Sequence, residues 1–132
     1  YMPGILTAAA IGKDGKELSR SSLESSSGPL QVSVLPETNT GKLVYVNICI
    51  TGENGIVESN ADTQLTVSVE GGKLLAFGSA NPRTEERYTD GSFITYYGKA
   101  LAVIATDDAA SMKITVAYAS SNFSSSSTRC EK

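Results

Sequence analysis

Val44-Tyr45-Val46-Asn47-Ile48-Cys49-Ile50 places a β-branched apolar side chain at every second position, with Tyr, Asn and Cys between them. Period-two alternation is the mark of a strand with one face in a core and the other wetter. The same period returns in Leu65-Thr66-Val67-Ser68-Val69 and in Met112-Lys113-Ile114-Thr115-Val116-Ala117-Tyr118. Between these runs stand turn residues: Gly52-Glu53-Asn54-Gly55, Gly71-Gly72, Gly98 and Asp107 to Ser111. Asn-Gly and Gly-Gly supply the positive φ that tight turns need. The pattern predicts an all-β, immunoglobulin-like sandwich of about seven strands from Leu30 onward. The Cys-Trp-Cys core of antibody domains is absent, so the expectation concerns architecture alone.

Working outward, the chain divides into three parts. Residues 1–28 read as a β-hairpin, Ile5–Ile11 and Glu17–Leu23 around Asp14-Gly15, followed by the polar joint Ser25-Ser26-Ser27-Gly28-Pro29. Residues 29–120 read as the sandwich, with a long loop from Gly78 to Ser92. Residues 121–132, with serines at 124–127, read as a disordered tail. The opening Tyr1-Met2-Pro3-Gly4 has the look of the middle of a longer protein. An isolated hairpin is marginal in water. Residues 5–23 should therefore dock on the sandwich, pair with another copy into a fragment dimer, or fray.

The 132 residues suit one domain with a modest core. The net charge of −3, with Lys and Arg scattered along the chain, argues against nucleic acid or an anionic membrane as a partner. No apolar run approaches the ~20 residues that span a bilayer. The chain has no histidine, which removes His-assisted nucleophiles, His proton shuttles and His metal ligands together. It has no tryptophan, the largest platform for a sugar ring. Cys49 lies on the strand face opposite Val46, Ile48 and Ile50, and Cys130 lies in the tail, so both read as free thiols.

Few residues suggest chemistry. Glu85-Glu86 is adjacent in sequence, whereas glycosidases set two carboxylates about 5 Å or 6.5–9.5 Å apart across a sugar. It reads as loop surface. Asp107-Asp108, and Glu53 with Asn54 and Asp62, lack the regular spacing of a calcium loop and read as turns. No metal or cofactor is expected. Tyr88, Tyr96 and Tyr97, with Phe93, flank the long loop; they could form a sugar platform, or pack alternately into the core and along the sheet edge. Asn81-Pro82 reads as loop architecture. Asn122-Phe123-Ser124 matches a glycosylation sequon.

An ordered series of short motifs then carries a resemblance: Glu53-Asn54-Gly55, Asn60-Ala61-Asp62, Val67-Ser68-Val69-Glu70-Gly71, Gly78-Ser79-Ala80-Asn81-Pro82, Tyr96-Tyr97-Gly98-Lys99-Ala100-Leu101-Ala102-Val103-Ile104 and Ile114-Thr115-Val116-Ala117. The series resembles the C-terminal immunoglobulin-like domain of bacterial glycoside hydrolase family 2 enzymes of the β-galactosidase-like kind. Pro3 to Ala8 with Lys13 to Glu17 resembles the closing hairpin of the β-sandwich domain before it. The resemblance implies a parent active in carbohydrate metabolism, periplasmic or secreted, whose catalytic glutamates sit in a (β/α)8 barrel. No position here matches those motifs, so no catalytic residue carries over. The implied role is a non-catalytic accessory domain whose partners are the parent's other domains. Two rival expectations are a carbohydrate-binding module using Tyr88, Tyr96 or Tyr97, and a bacterial immunoglobulin-like adhesion repeat.

Overall fold

The alternation in Leu43–Thr51 is realised as a central strand: Val44, Val46, Ile48 and Ile50 are buried while Tyr45, Asn47 and Cys49 face the other way. A computed structural model describes residues 2–37, 41–118 and 126–129. Among them are ten strands in chain order: β1 (Ile5–Ile11), β2 (Glu17–Glu24), β3 (Gln31–Pro36), β4 (Leu43–Thr51), β5 (Gln64–Glu70), β6 (Lys73–Gly78), β7 (Ser92–Ile94), β8 (Lys99–Ala105), β9 (Lys113–Tyr118) and β10 (Ser126–Arg129). No helix occurs among the described residues, and so none is long and apolar enough to cross a membrane.

Two four-stranded antiparallel sheets form the sandwich, in the orders β3-β4-β8-β6 and β10-β9-β5-β7. Lettering β3, β4, β5, β6, β8, β9 and β10 from A to G gives A-B-E-D facing G-F-C, the arrangement of the immunoglobulin constant type, with β7 added beside β5. One core joins the two sheets: Val32, Val46, Ile48, Phe77, Ala102 and Ile104 from the first meet Leu65, Val67, Phe93, Ile114 and Val116 from the second. Met112 closes it below β9.

The tail differs in part from its expectation. Ser126–Arg129 pair with β9, Ser126 opposite Val116 and Arg129 opposite Lys113, so the sandwich has an eighth strand. Ser126-Ser127-Thr128-Arg129 carries no apolar alternation. An edge strand held by backbone pairing leaves no period to read. The rest of the tail, with the sequon and Cys130, lies outside the described residues. Cys49 is a free thiol. Its burial pushes the thiol's pKa up, and the neighbouring Lys99 ammonium opposes that rise.

The hairpin forms as expected and stands as a sheet of its own, β1 against β2, exposed on both faces. It does not extend either sheet of the sandwich. Its joint, which composition marks as a linker, is held down. Asn54 Oδ1 accepts from the Ser27 amide (3.2 Å), and Asn54 Nδ2 donates to the Ser25 carbonyl (2.9 Å) and to Glu24 (3.1 Å). The Glu53 amide donates to the Ser27 carbonyl at 2.8 Å. Gly52 lies so close that a Cβ there would sit 2.4 Å from that carbonyl oxygen. The Ser26 hydroxyl donates to Glu58 Oε2, and the Asn60 amide donates to Glu58 Oε1 at 3.0 Å.

Those two bonds, the one from Ser26 foremost, hold the Glu58 carboxyl below the usual carboxylate range. A depressed carboxyl contributes its full stabilisation above its unfolded value, about 4.3, and loses it as pH falls through the folded value. Acidification below about pH 4 should therefore loosen the joint. Amide exchange at Ser26 and Ser27 should quicken there relative to β4, and Glu58→Gln should flatten that pH dependence. A ratio of Ser26 and Ser27 exchange to β4 exchange that stays constant across this range would contradict the bond's role.

Candidate functional site

The most unusual backbone among the described residues lies between β7 and β8. Tyr96 and Lys99 exchange two backbone hydrogen bonds, Tyr96 N to Lys99 O at 3.0 Å and Lys99 N to Tyr96 O at 3.1 Å. The two residues between them, Tyr97 (φ 51°) and Gly98 (φ 68°), both have positive φ, which makes a mirror-image type I turn. Asn-Gly is the preferred pair at such a turn. Tyr97 is the one non-glycine residue with positive φ among the described residues. The left-handed backbone costs an ordinary side chain roughly 1–2 kcal/mol. Tyr97→Asn should therefore raise stability by about 0.5–1 kcal/mol, less than the full strain because the Tyr96 contact goes with the ring. Urea denaturation measures it; a loss of stability would show that the ring contributes more than the turn costs.

The surroundings hold this strained turn in place. The Tyr97 amide donates to Asp62 Oδ1 at 2.9 Å. Thr95, fully buried, donates its hydroxyl to the Ala61 carbonyl (2.6 Å) and accepts from the Thr63 amide (2.8 Å). Gly98 packs on the Glu58 carbonyl, where a Cβ would sit 2.3 Å from the oxygen. The rings of Tyr96 and Tyr97 lie 4.4 Å apart, tilted by 56°. The Tyr97 phenol beside it, with a smaller contribution from the Asp62 charge, raises the pKa of Tyr96 above its usual range.

Tyr88 arrives from the long loop and is seated independently. Its ring stacks on buried Phe93 with centroids 5.1 Å apart and planes 9° from parallel. It lies against the bare backbone of Gly78, where a Cβ would fall 2.2 Å from its Cδ1. Its carbonyl accepts from the Phe77 amide at 2.7 Å. Tyr88 is nonetheless 51% exposed, and Tyr97 60%.

All three tyrosines line one open groove of about 740 Å³ on the outer face of the β3-β4-β8-β6 sheet. Its lining combines apolar Ala76, Leu101 and Val103 with Asn47, Ser59, Ser79 and Lys99, Asn47 standing opposite Leu101 across the β4–β8 pair. Among the described residues, Lys99 is the one charged side chain in the lining. Asn47 is fixed by donating to Glu37 Oε1 at 2.5 Å. The Ser79 hydroxyl is buried without a hydrogen-bond partner among the described residues. The structure thus separates Phe93, which enters the core, from the tyrosines, which share the outer face. The packing reading holds for Phe93, which is in the core, while Tyr88, Tyr96 and Tyr97 line the groove.

The acidic residues serve the backbone. Glu86 accepts from the Ile94 amide (3.0 Å) and the Thr84 hydroxyl (3.0 Å), which ties the long loop to β7. Asp108 Oδ1 accepts from the Ala110 amide at 3.1 Å, and Asp107 pairs with Lys42 in solvent. Among the described residues no three His, Cys, Asp or Glu cluster as metal ligands would.

Residues 33–129, from within β3 to the end of β10, match the family described as glycoside hydrolase family 2 C-terminal domain 5. The chain belongs to this family. This C-terminal domain 5 is also similar to regions of solved glycosidases. With a family 2 member from Bacteroides cellulosilyticus it shares 24% identity and a TM-score of 0.77, over 97% of this chain and 18% of that one. With a β-glycosidase from Bacteroides vulgatus the values are 22% and 0.73, over 97% and 17%. With a β-glucuronidase from Parabacteroides merdae they are 19% and 0.58, over 100% and 17%. At these identities the likeness establishes the fold. The C-terminal domain 5 chain spans under a fifth of the length of each of these proteins. No curated protein matches the chain.

Proposed function

We propose that the chain is a non-catalytic accessory domain of a bacterial, β-galactosidase-like glycosidase that works in the periplasm or is secreted. The observation that carries this reading is the family match across residues 33–129 in a chain under a fifth as long as the glycosidases it resembles. The carboxylates are in keeping with it, since Glu86, Asp62 and Asp108 are engaged by backbone amides. Its partners are then the parent's other domains. The exposed pair Leu6 and Leu23, opposite one another in the hairpin, is the natural contact with the domain before it. In the chain alone the same hairpin is free to pair with a second copy, and deleting residues 1–28 should then leave a monomer.

Sequencing the coding DNA upstream of Tyr1 tests the reading. A (β/α)8 barrel with two facing glutamates is the expected result. Repeated sandwiches without a barrel would contradict it and favour an adhesion array. Assaying that parent on aryl β-galactosides and aryl β-glucuronides decides its substrate; a glucuronide-specific enzyme would overturn the galactosidase part.

One observation favours a second role for the same domain, that of a glycan-binding module. Tyr88 from the long loop and the pair Tyr96-Tyr97 meet on one groove whose lining also carries hydrogen-bonding groups.

A further inference from the structure

We infer that Tyr97 is the stacking platform of a site for a neutral oligosaccharide, presented by its strained turn. The inference rests on the glycan-binding role and adds to it the ligand class and the residue that dominates recognition. A pyranose has a face of C–H bonds and a rim of hydroxyls. The groove offers partners for both: aromatic rings with apolar Leu101 and Val103, and Asn47, Ser59 and Lys99 in the same lining. Among the described residues no carboxylate lines it and the one charge in the lining is the Lys99 ammonium, which can donate to sugar hydroxyls. Its volume, about 740 Å³, falls within the range of small-ligand sites and accommodates several sugar rings.

Tyr97 singles itself out by what it costs. Exposed and left-handed, it occupies a position where asparagine would fit better, and it leaves the ring over the groove. Strain at an exposed aromatic, held in place by Asp62, Gly98 and Thr95, points to a task other than stability. The Tyr88 ring, rigid on Phe93 and Gly78, forms a second wall that needs no ordering when a ligand arrives.

The test is an amide chemical-shift titration of the chain with β-1,4-galactotetraose, cellotetraose and mannotetraose, on wild type, Tyr97→Asn and Tyr97→Phe. At least one tetraose should give saturable shifts confined to the groove: Asn47, Val57–Ser59, Ala76–Ala80, Tyr88, Tyr96–Lys99 and β8. Tyr97→Asn should weaken that binding about tenfold or more while raising the urea midpoint. Tyr97→Phe, which keeps the ring, should retain most of it. Binding to wild type that Tyr97→Asn leaves unchanged would overturn the role of Tyr97 and leave the glycan-binding role standing. If no tetraose shifts the groove, that role falls as well, and the groove becomes a seat for another domain of the parent.

Discussion

Replacing Phe77 with alanine should cost about 3–5 kcal/mol of unfolding free energy, as expected for truncating a buried phenylalanine. Small domains hold only roughly 5–15 kcal/mol in total, so this one change should bring the sandwich near its limit. Phe77 is fully buried on β6, inside the single core that both sheets share. Its amide also donates to the Tyr88 carbonyl, so the loss should spread to the long loop. Two residues away, Leu75 is 39% exposed. A bulge between Leu74 and Ala76 in the pairing with β8 turns Leu75 outward and lets Leu74 pack on the core. Leu75→Ala should cost under about 1 kcal/mol. Urea denaturation of both variants reads the difference; equal losses would contradict the bulge.

The second large effect is expected at Gly98. An added methyl would sit 2.3 Å from the Glu58 carbonyl oxygen, with φ at +68°. Backbone opposes backbone there, so no side chain can swing aside. Gly55 is the control: its φ is +75°, but open space surrounds its Cβ position. Gly55→Ala should cost only the left-handed strain, about 1–2 kcal/mol. Gly98→Ala should cost that and the clash, together about 3 kcal/mol or more. It should also shift the amides of Tyr97 and Asp62, since the two share a hydrogen bond. If the two alanines cost the same, the close approach of Gly98 to Glu58 is wrong.

The sandwich was legible wherever one strand face is buried and the other is not. In β4, β5 and β9 the apolar period maps directly onto the core side, because register and burial are fixed together by the pleat. The period failed at two places, for different reasons. In β6 the bulge inserts a residue, so Leu74 and Phe77 point inward three positions apart. In β10 the residues are Ser, Ser, Thr and Arg, whose pairing is a backbone matter. The strand after the long loop is short, Ser92–Ile94, because Tyr96 and Tyr97 are taken into the turn.

The groove shows the same division. That Tyr88, Tyr96 and Tyr97 are aromatic neighbours of the long loop can be read from the sequence. Their sharing one outer face depends on contacts far apart in the chain. Tyr88 is placed by Gly78 and Phe93, and Tyr97 by Asp62 and Gly98. A local signal did exist: Tyr-Gly between two strand-like runs occupies a position that favours Asn-Gly, and the mismatch marks strain. The clamp by Asn54 on the hairpin joint had no local signal, because its partners lie about thirty residues earlier.

The most direct measurement is an assay of the purified chain against chromogenic β-galactosides and β-glucuronides. The accessory-domain proposal predicts the rate of the buffer alone for both. Turnover above that rate, retained through further purification and lost on unfolding, would contradict a non-catalytic role and require an active site on this sandwich.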